Sequence, residues 1–419
     1  MSRMLVEDTP DTDGSPQWRL TMWTMVAVML TMSISFNFLN PVMPLFLPSL
    51  GVATDSAVNF WAGAIASVTS FVAIFTSPIW GRMADRYGRK LMVLRSSFAI
   101  GACTILMGLA QTPWHMLGLR ALMGAFAGFS SASVVMVASQ VPERRLGYAL
   151  GLLSTGQLVG SLIGPVIGGG VADLSGSYRL PFFVAGAISI AAFLLCWWLV
   201  PERFTPPAAT KDRASVWQSM RLMAASGGLA ALVLVLLLTQ FGVQAIGPMI
   251  TLYVQELLGP RPDLATLGGL AFSVTGLAGV VAVPLLGRVT DRIGERRVLL
   301  IALTGAALMT LPQAFTQNYW LFVAERFGMG LFVGSILPTA NALIGRITPA
   351  SERGAVYGMS GSAYFMGNSL GPLTGGVVAA TFGLHWVFLI TAVLLFLNLA
   401  WVFFAVPDHR ARSQVEEES

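Results

Sequence analysis

Gly151–Gly169 reads GLLSTGQLVGSLIGPVIGG, and Gly358–Gly376 reads GMSGSAYFMGNSLGPLTGG. Glycines 151, 160, 164, 168 and 169 each recur 207 positions later, and Pro165 recurs as Pro372. A repeat at that offset in a chain of 419 residues predicts two similar halves. Within each copy Gly160, Gly164 and Gly168, or Gly367, Gly371 and Gly375, stand four apart and share one helix face. Such a bare stripe lets a neighbouring helix bring its backbone close. In water each of these glycines would cost a helix ~1 kcal/mol relative to alanine, so the stripe points to a lipid setting where close packing compensates.

Composition agrees. The chain is 55% hydrophobic and 11% charged, with a mean hydropathy of +0.71, more apolar surface than a soluble domain of this size needs. Cys103 and Cys196 both sit in apolar runs and suggest neither a disulfide framework nor a metal site. The first residues, MSRMLVEDTPDTDGSPQWR, are acidic, punctuated by Pro and Gly, and lack the pattern of a cleaved signal.

Apolar runs long enough to cross a ~30 Å hydrocarbon layer fall near 21–47, 60–80, 91–110, 115–139, 146–172 and 181–200. A second set falls near 226–254, 266–286, 297–316, 319–345, 354–382 and 384–406. The expected fold is an all-α membrane protein with twelve transmembrane helices in two pseudo-symmetric six-helix bundles. A disordered tail spans 1–20, the bundles 21–200 and 226–406, a linker 201–225 and a second tail 407–419. Of the 25 Lys and Arg residues, 21 would be cytoplasmic if the N-terminus is inside; Arg179 and Arg261 fall outside, and Arg120 and Arg326 lie within spans. The positive-inside bias therefore places both termini in the cytoplasm of a cell whose inner (plasma) membrane holds the protein.

Two segments expected as cytoplasmic loops, PIWGRMADRYGRK (Pro78–Lys90) and PLLGRVTDRIGER (Pro284–Arg296), align without a gap at an offset of 206. Gly81, Arg82, Asp85, Arg86 and Gly88 match Gly287, Arg288, Asp291, Arg292 and Gly294; Arg89 follows Gly88 in the first copy. Solvent alone does not dictate the same spacing twice.

These residues resemble the major facilitator superfamily over nearly the whole chain. Gly81–Lys90 is similar to its loop motif, Arg120 with Gly124 and Gly128 to its fourth-helix motif, and Gly151–Gly169 to the fifth-helix motif of antiporters. The complete fifth-helix match resembles the twelve-span drug/proton antiporter branch and its bacterial multidrug exporters. The resemblance implies that Asp85 faces the start of span eleven near Gly354 and latches the halves when the protein opens outward, with Asp291 mirroring it near Gly147. A carboxylate is favoured at a helix start; the residue-level alternative is a local turn cap.

Arg120 and Arg326 occupy matched positions in spans four and ten. An arginine inside a span is a functional candidate by default, but its guanidinium does not release a proton; Arg120 is read as a coupling organiser or a structural anchor. Among acids Glu325 is the better proton carrier, ahead of the interfacial Glu256, and His115 is weaker. Neutral polar residues mark a cavity near the midplane: Asn37 pairs with Gln244 and Gln157 with Tyr364 at an offset of 207, Gln240 lies one turn from Gln244, and Asn341 and Asn368 are weaker additions. Each could instead make only interhelical hydrogen bonds. Gly160, Gly164, Pro165 and Gly168, with Gly371, Pro372 and Gly375, are expected to form packing seams. In one reading Gly164 and Gly168 meet the other half at span eight around Ala278–Pro284, and Gly371 and Gly375 meet span two; in the other the stripe packs within its own bundle.

The leading functional expectation is a secondary active, proton-coupled multidrug exporter of amphipathic or cationic small molecules. An uptake symporter or facilitator and a non-transporting sensor are the alternatives. An enzyme is the least favoured class because no nucleophile, metal cluster or phosphate loop stands out. The expected partners are a small-molecule substrate, protons and the lipid bilayer, for a monomer with no nucleic acid, cofactor or metal.

Overall fold

The computed structural model describes residues 16–201, 227–348 and 352–406, which are almost wholly helical and contain no strand. Span one is Pro16–Phe38 continued by Val42–Phe46; spans two and three are Asp55–Tyr87 and Arg89–Gly108; span four is Pro113–Ala125 continued by Phe129–Gln140; spans five and six are Leu146–Ser175 and Leu180–Leu199. Span seven is Gly227–Ile246 continued by Met249–Leu258, and spans eight to twelve are Leu264–Ile293, Glu295–Thr310, Tyr319–Ile347, Arg353–Phe382 and Leu384–Ala405. Eleven stretches are long and apolar enough to cross a membrane by themselves. Span eleven, diluted by its glycines and hydroxyls, is nonetheless a 30-residue helix packed between spans two and seven. Backbone groups in hydrocarbon must be satisfied within the segment, and helices are how these sequences do it. The expected linker from residue 202 onward, together with both tails apart from the helix start at Pro16, lies outside the described residues.

Local chemistry sets the ends and breaks. Thr54 accepts a hydrogen bond from the Ala57 amide and Asn318 accepts from Trp320 and Leu321, capping spans two and ten. Spans one and seven both break at a proline, Pro41 and Pro248, 207 apart, where the missing N–H ends the ladder. The segments read as loops over 78–90 and 284–296 are mostly helix: span two runs through Pro78 to Tyr87 and span eight through Pro284 to Ile293. Charged side chains do not end a helix at an aqueous boundary. Only Gly88 and Gly294 turn the chain, with φ of 94° and 92°, a conformation favouring glycine.

The halves share a packing scheme. Spans one, two and five pair with five, four and eight, while spans seven, eight and eleven pair with eleven, ten and two. Gly160, Gly164 and Gly168 press on Leu30, Ser33, Ile34, Asn37 and Phe38 of span one; Gly367, Gly371 and Gly375 press on Leu237, Gln240, Phe241, Gln244 and Ala245 of span seven, each partner shifted by 207. The cross-half reading of Gly164, Gly168, Gly371 and Gly375 is thus corrected: their stripe packs inside its own bundle. The region expected to receive it is engaged elsewhere, with Ala278 against Gly330 of span ten.

The crossing between halves lies one residue on, about 100° around the helix. Gly169 faces the backbone of Ala265 and Thr266 in span eight, and Gly269 faces the carbonyl of Pro165. On the opposite side Gly376 faces Asn59 and Gly63 of span two, and Gly63 faces the Pro372 carbonyl. These contacts close the end of the molecule opposite to residues 16 and 406, here termed the distal end. Toward the terminal end no such contact recurs among the described glycines: a Cβ at Gly81, Gly147, Gly151, Gly287, Gly358 or Gly361 would meet open space.

Candidate functional site

Below the distal seal, spans one to five enclose a cavity of about 480 Å³, with Phe365 of span eleven as its contribution from the second half. Its apolar wall is Met29, Met32, Phe36, Ile100, Met123 and Phe129; its polar groups are the hydroxyls of Ser33, Thr69, Ser70, Ser77, Ser130 and Ser131 and the amides of Asn37 and Gln157. Thioethers on flexible stems let such a wall fit many shapes. The Asn37 amide donates to the Ser33 carbonyl at 2.9 Å, and the Ser33 hydroxyl donates to the Gln157 carbonyl at 2.6 Å.

Asn37 and Gln157 therefore meet at the cavity, whereas Gln240, Gln244, Asn341, Tyr364 and Asn368 do not line it. Gln240 donates to Asn368 at 2.8 Å within the second half, and the Asn341 carbonyl receives the Tyr357 hydroxyl at 3.1 Å. Residues related by the repeat thus do not share this pocket.

Span four, unlike span ten, is broken at residues 126–128, where Gly128 has a φ of 111°. The exposed carbonyls are taken up by neighbours. Thr76 donates to Gly124 at 3.0 Å, Trp80 Nε1 to Ala125 at 2.6 Å, and Arg95 Nη2 to Phe126 at 3.3 Å and Ala127 at 2.9 Å. The Arg95 guanidinium also lies 3.3 Å from the Trp80 ring centroid, a cation–π contact. Arg95→Met is expected to lower stability by about 2–3 kcal/mol through loss of charge-assisted hydrogen bonds; thermal unfolding in detergent measures this. The repeat offers no hint of Arg95, because its counterpart is Ile301.

Arg120 is 5% exposed, with its guanidinium carbon 5.9 Å from the Phe36 ring. Arg326, also 5% exposed, donates Nε to the Ala271 carbonyl at 3.5 Å. Glu325 is buried, and both its oxygens lie 2.8 Å from the Thr316 hydroxyl. Tyr253 sits beside it, its hydroxyl 2.8 and 2.9 Å from the Gln313 and Thr316 carbonyls. Of the latch residues, Arg82 donates to the Pro78 carbonyl at 3.4 Å, Arg86 lies over Tyr87, and Arg292 is exposed. The side chains of Asp85 and Asp291 lie outside the described residues.

One carboxylate that the sequence reading passed over joins the halves. Asp173, near the end of span five, accepts from the Ala265 amide at 3.2 Å, the Thr266 amide at 2.7 Å and the Thr266 hydroxyl at 2.6 Å, capping the start of span eight. Opposite, Asn59 donates to the Ala379 carbonyl and Ser56 to that of Ala380. Asp173 aligns with Ala380, so no repeat marked it.

Twelve spans in two pseudo-symmetric halves, closed at one end over a mixed cavity, are the architecture of a membrane transporter. Residues 24–268 and 232–419 match the model of the Major Facilitator Superfamily, and the chain belongs to that family. It is 36% identical over 378 residues to Multidrug resistance protein MdtG of Proteus mirabilis, covering 90% of this chain and 93% of that protein. It is 35% identical over 401 residues to the protein of that name from Yersinia enterocolitica, covering 96% of each. Among solved structures, a bacterial homologue of the human lysosomal transporter Spinster, inward-facing and occupied, matches with a TM-score of 0.76 at 16% identity over 93% of this chain and 97% of that one. The nucleoside transporter NupG matches with a TM-score of 0.75 at 15% identity over 91% of this chain and 99% of that one. Those structures share the fold.

Proposed function

We propose that the chain is a proton-coupled multidrug exporter that moves amphipathic or cationic small molecules by alternating access, with both termini cytoplasmic. The observation that carries this reading is the adaptable methionine and hydroxyl cavity beneath a seal of close glycine crossings and a few side-chain hydrogen bonds; the similarity to proteins named for multidrug resistance supports it. With the termini inside, the distal seal is external and the conformation is open to the cytoplasm. Asp85 and Asp291 then act in the opposite state, closing the terminal end against spans eleven and five. A latch of this kind shifts the equilibrium only through contacts that differ between the states.

Glu325 is the proposed proton carrier: a buried carboxylate with a single hydroxyl donor can exchange a proton as the surrounding helices move. In everted vesicles an imposed proton gradient should drive uptake of exported dyes by wild-type protein. Glu325→Gln should abolish gradient-driven accumulation while leaving passive exchange near the wild-type rate. Growth inhibition across dyes, antibiotics and metabolites, with and without the protein, tests export itself; unchanged sensitivity to every compound would overturn the proposal.

A further inference from the structure

We propose that three donors outside the cavity, Thr76, Trp80 and Arg95, hold span four broken, and that this break places the Phe129 ring in the cavity wall. The three form a clasp and act as positioning residues, since none of them lines the cavity. The proposal deepens the exporter reading and rests on it only in treating the cavity as a drug site.

Local preference would put the break in the other half. Span ten carries Gly328, Gly330, Gly334 and Pro338, yet Tyr319–Ile347 is a single helix of 29 residues. Span four has no proline after Pro113 and is the span that breaks, at residues 126–128. Gly128 and Gly334 match at an offset of 206, so a glycine there permits the break without causing it. The surroundings make the difference. Helix carbonyls released by a break inside a membrane protein need donors, and Thr76, Trp80 and Arg95 supply them to Gly124, Ala125, Phe126 and Ala127. The Phe126 ring also stacks on Trp80, with centroids 6.0 Å apart. In the second half the matched positions hold Ala282, Leu286 and Ile301, whose side chains cannot donate. Span ten satisfies its own carbonyls by remaining helical.

The break reaches the cavity. Ala127, Gly128, Phe129, Ser130 and Ser131 all line it, although five successive residues of a continuous helix point through about 400°. Span one, by contrast, contributes Met29, Met32, Ser33, Phe36 and Asn37, a single helix face. In an unbroken span four Met123, Ala127, Ser130 and Ser131 would still share a face, and Phe129 would point about 145° away from it. At the position matched to Phe129 the unbroken span ten has Ser335, 2% exposed, its hydroxyl donating to the Phe332 carbonyl of its own helix at 2.8 Å. Phe129 is therefore the side chain whose place depends on the break, and with Phe36 and Phe365 it supplies the aromatic part of the wall.

Thiol labelling tests this on the purified full chain in phosphatidylcholine nanodiscs, with Cys103→Ala, Cys196→Ala and one of Ala127→Cys, Phe129→Cys or Ser130→Cys. A small methanethiosulfonate reagent should reach all three positions when the clasp is intact. Trp80→Leu with Arg95→Ile, which gives span four the surroundings of span ten, should slow labelling at 129 at least about tenfold and leave 127 and 130 within about twofold. Arg95→Lys keeps a donor and should keep 129 reactive. Gly128→Ala leaves the clasp in place but opposes a φ of 111°, and it should slow 129 in the same selective way, so the outcome does not hang on the folding of the double variant. With Phe129 present, binding of the neutral aromatic probe phenylnaphthylamine should weaken in the double variant and in Gly128→Ala and recover in Arg95→Lys. A position 129 that is unreactive with the clasp intact, stays reactive without it, or slows only together with 127 and 130 would overturn the proposal. Absence of export by wild-type protein would sink the exporter reading and leave the labelling pattern standing; export with 129 still reactive in the clasp variants would do the reverse.

Discussion

Gly169→Leu should yield a protein that inserts, folds and binds ligand but cannot close its distal end, with transport reduced at least about tenfold. A side chain at 169 meets the Ala265 carbonyl and the Thr266 Cα at 2.7 Å, both backbone atoms of the other half. Backbone inside a helix cannot swing aside as a flexible side chain does, so the strain falls on the seal. Overpacking of this kind costs about 1–3 kcal/mol, and a penalty confined to one state changes a two-state ratio by about 5- to 150-fold. Gly168→Leu, one residue away, meets Phe38 of its own bundle, as Gly164→Leu meets Ile34 and Asn37. Those variants should lose yield, thermal stability and binding together. Stability, ligand binding and labelling of single cysteines at the distal end, compared across the three variants, separate the outcomes. A destabilised Gly169→Leu protein with unchanged distal labelling would show that the crossing is not a gate.

Asp173→Asn should shift the equilibrium in the same direction by removing a charge without adding bulk. The carboxylate accepts three hydrogen bonds from the first turn of span eight, where the helix dipole favours a negative charge by ~0.3–1 kcal/mol, more when partly buried. Asparagine keeps one acceptor oxygen and replaces the other by an amide donor, so the hydrogen bonds on that oxygen are lost at a cost of about 0.5–1.5 kcal/mol each. Distal labelling should rise about 5- to 150-fold with the unfolding temperature close to wild type, since the bond joins the halves and not the helices of one bundle. Combined with Asp85→Asn, which removes the proposed latch at the terminal end, the shifts should partly cancel. Labelling that stays at the wild-type level in Asp173→Asn would refute a latch at this position.

Both results turn on a distinction that periodicity cannot make. Repeated glycines at spacing four told that a helix face was bare, and the 207 offset told that it was bare twice. Neither says which neighbour lies against it, because own-bundle and cross-half partners are equally compatible with a face without side chains. The Gly168–Gly169 doublet was visible as a doublet, yet only helix placement puts its two members against different halves. The cavity divides in the same way: Asn37 and Gln157 were legible as polar residues in apolar spans, while Arg95 and Asp173 were not, since each occurs in one half only and the repeat is blind to them.

The sequence by itself determined the twelve spans and the two halves. Both follow from hydrophobic length and from a repeat in residue type, which are properties of a residue and its neighbours along the chain. Tertiary structure alone decided that the distal end is closed, that the carboxylate of span five caps span eight, and that Arg120 is buried. Those depend on where backbone groups from segments about 90 or more residues apart meet, and no local preference of the chain encodes that meeting.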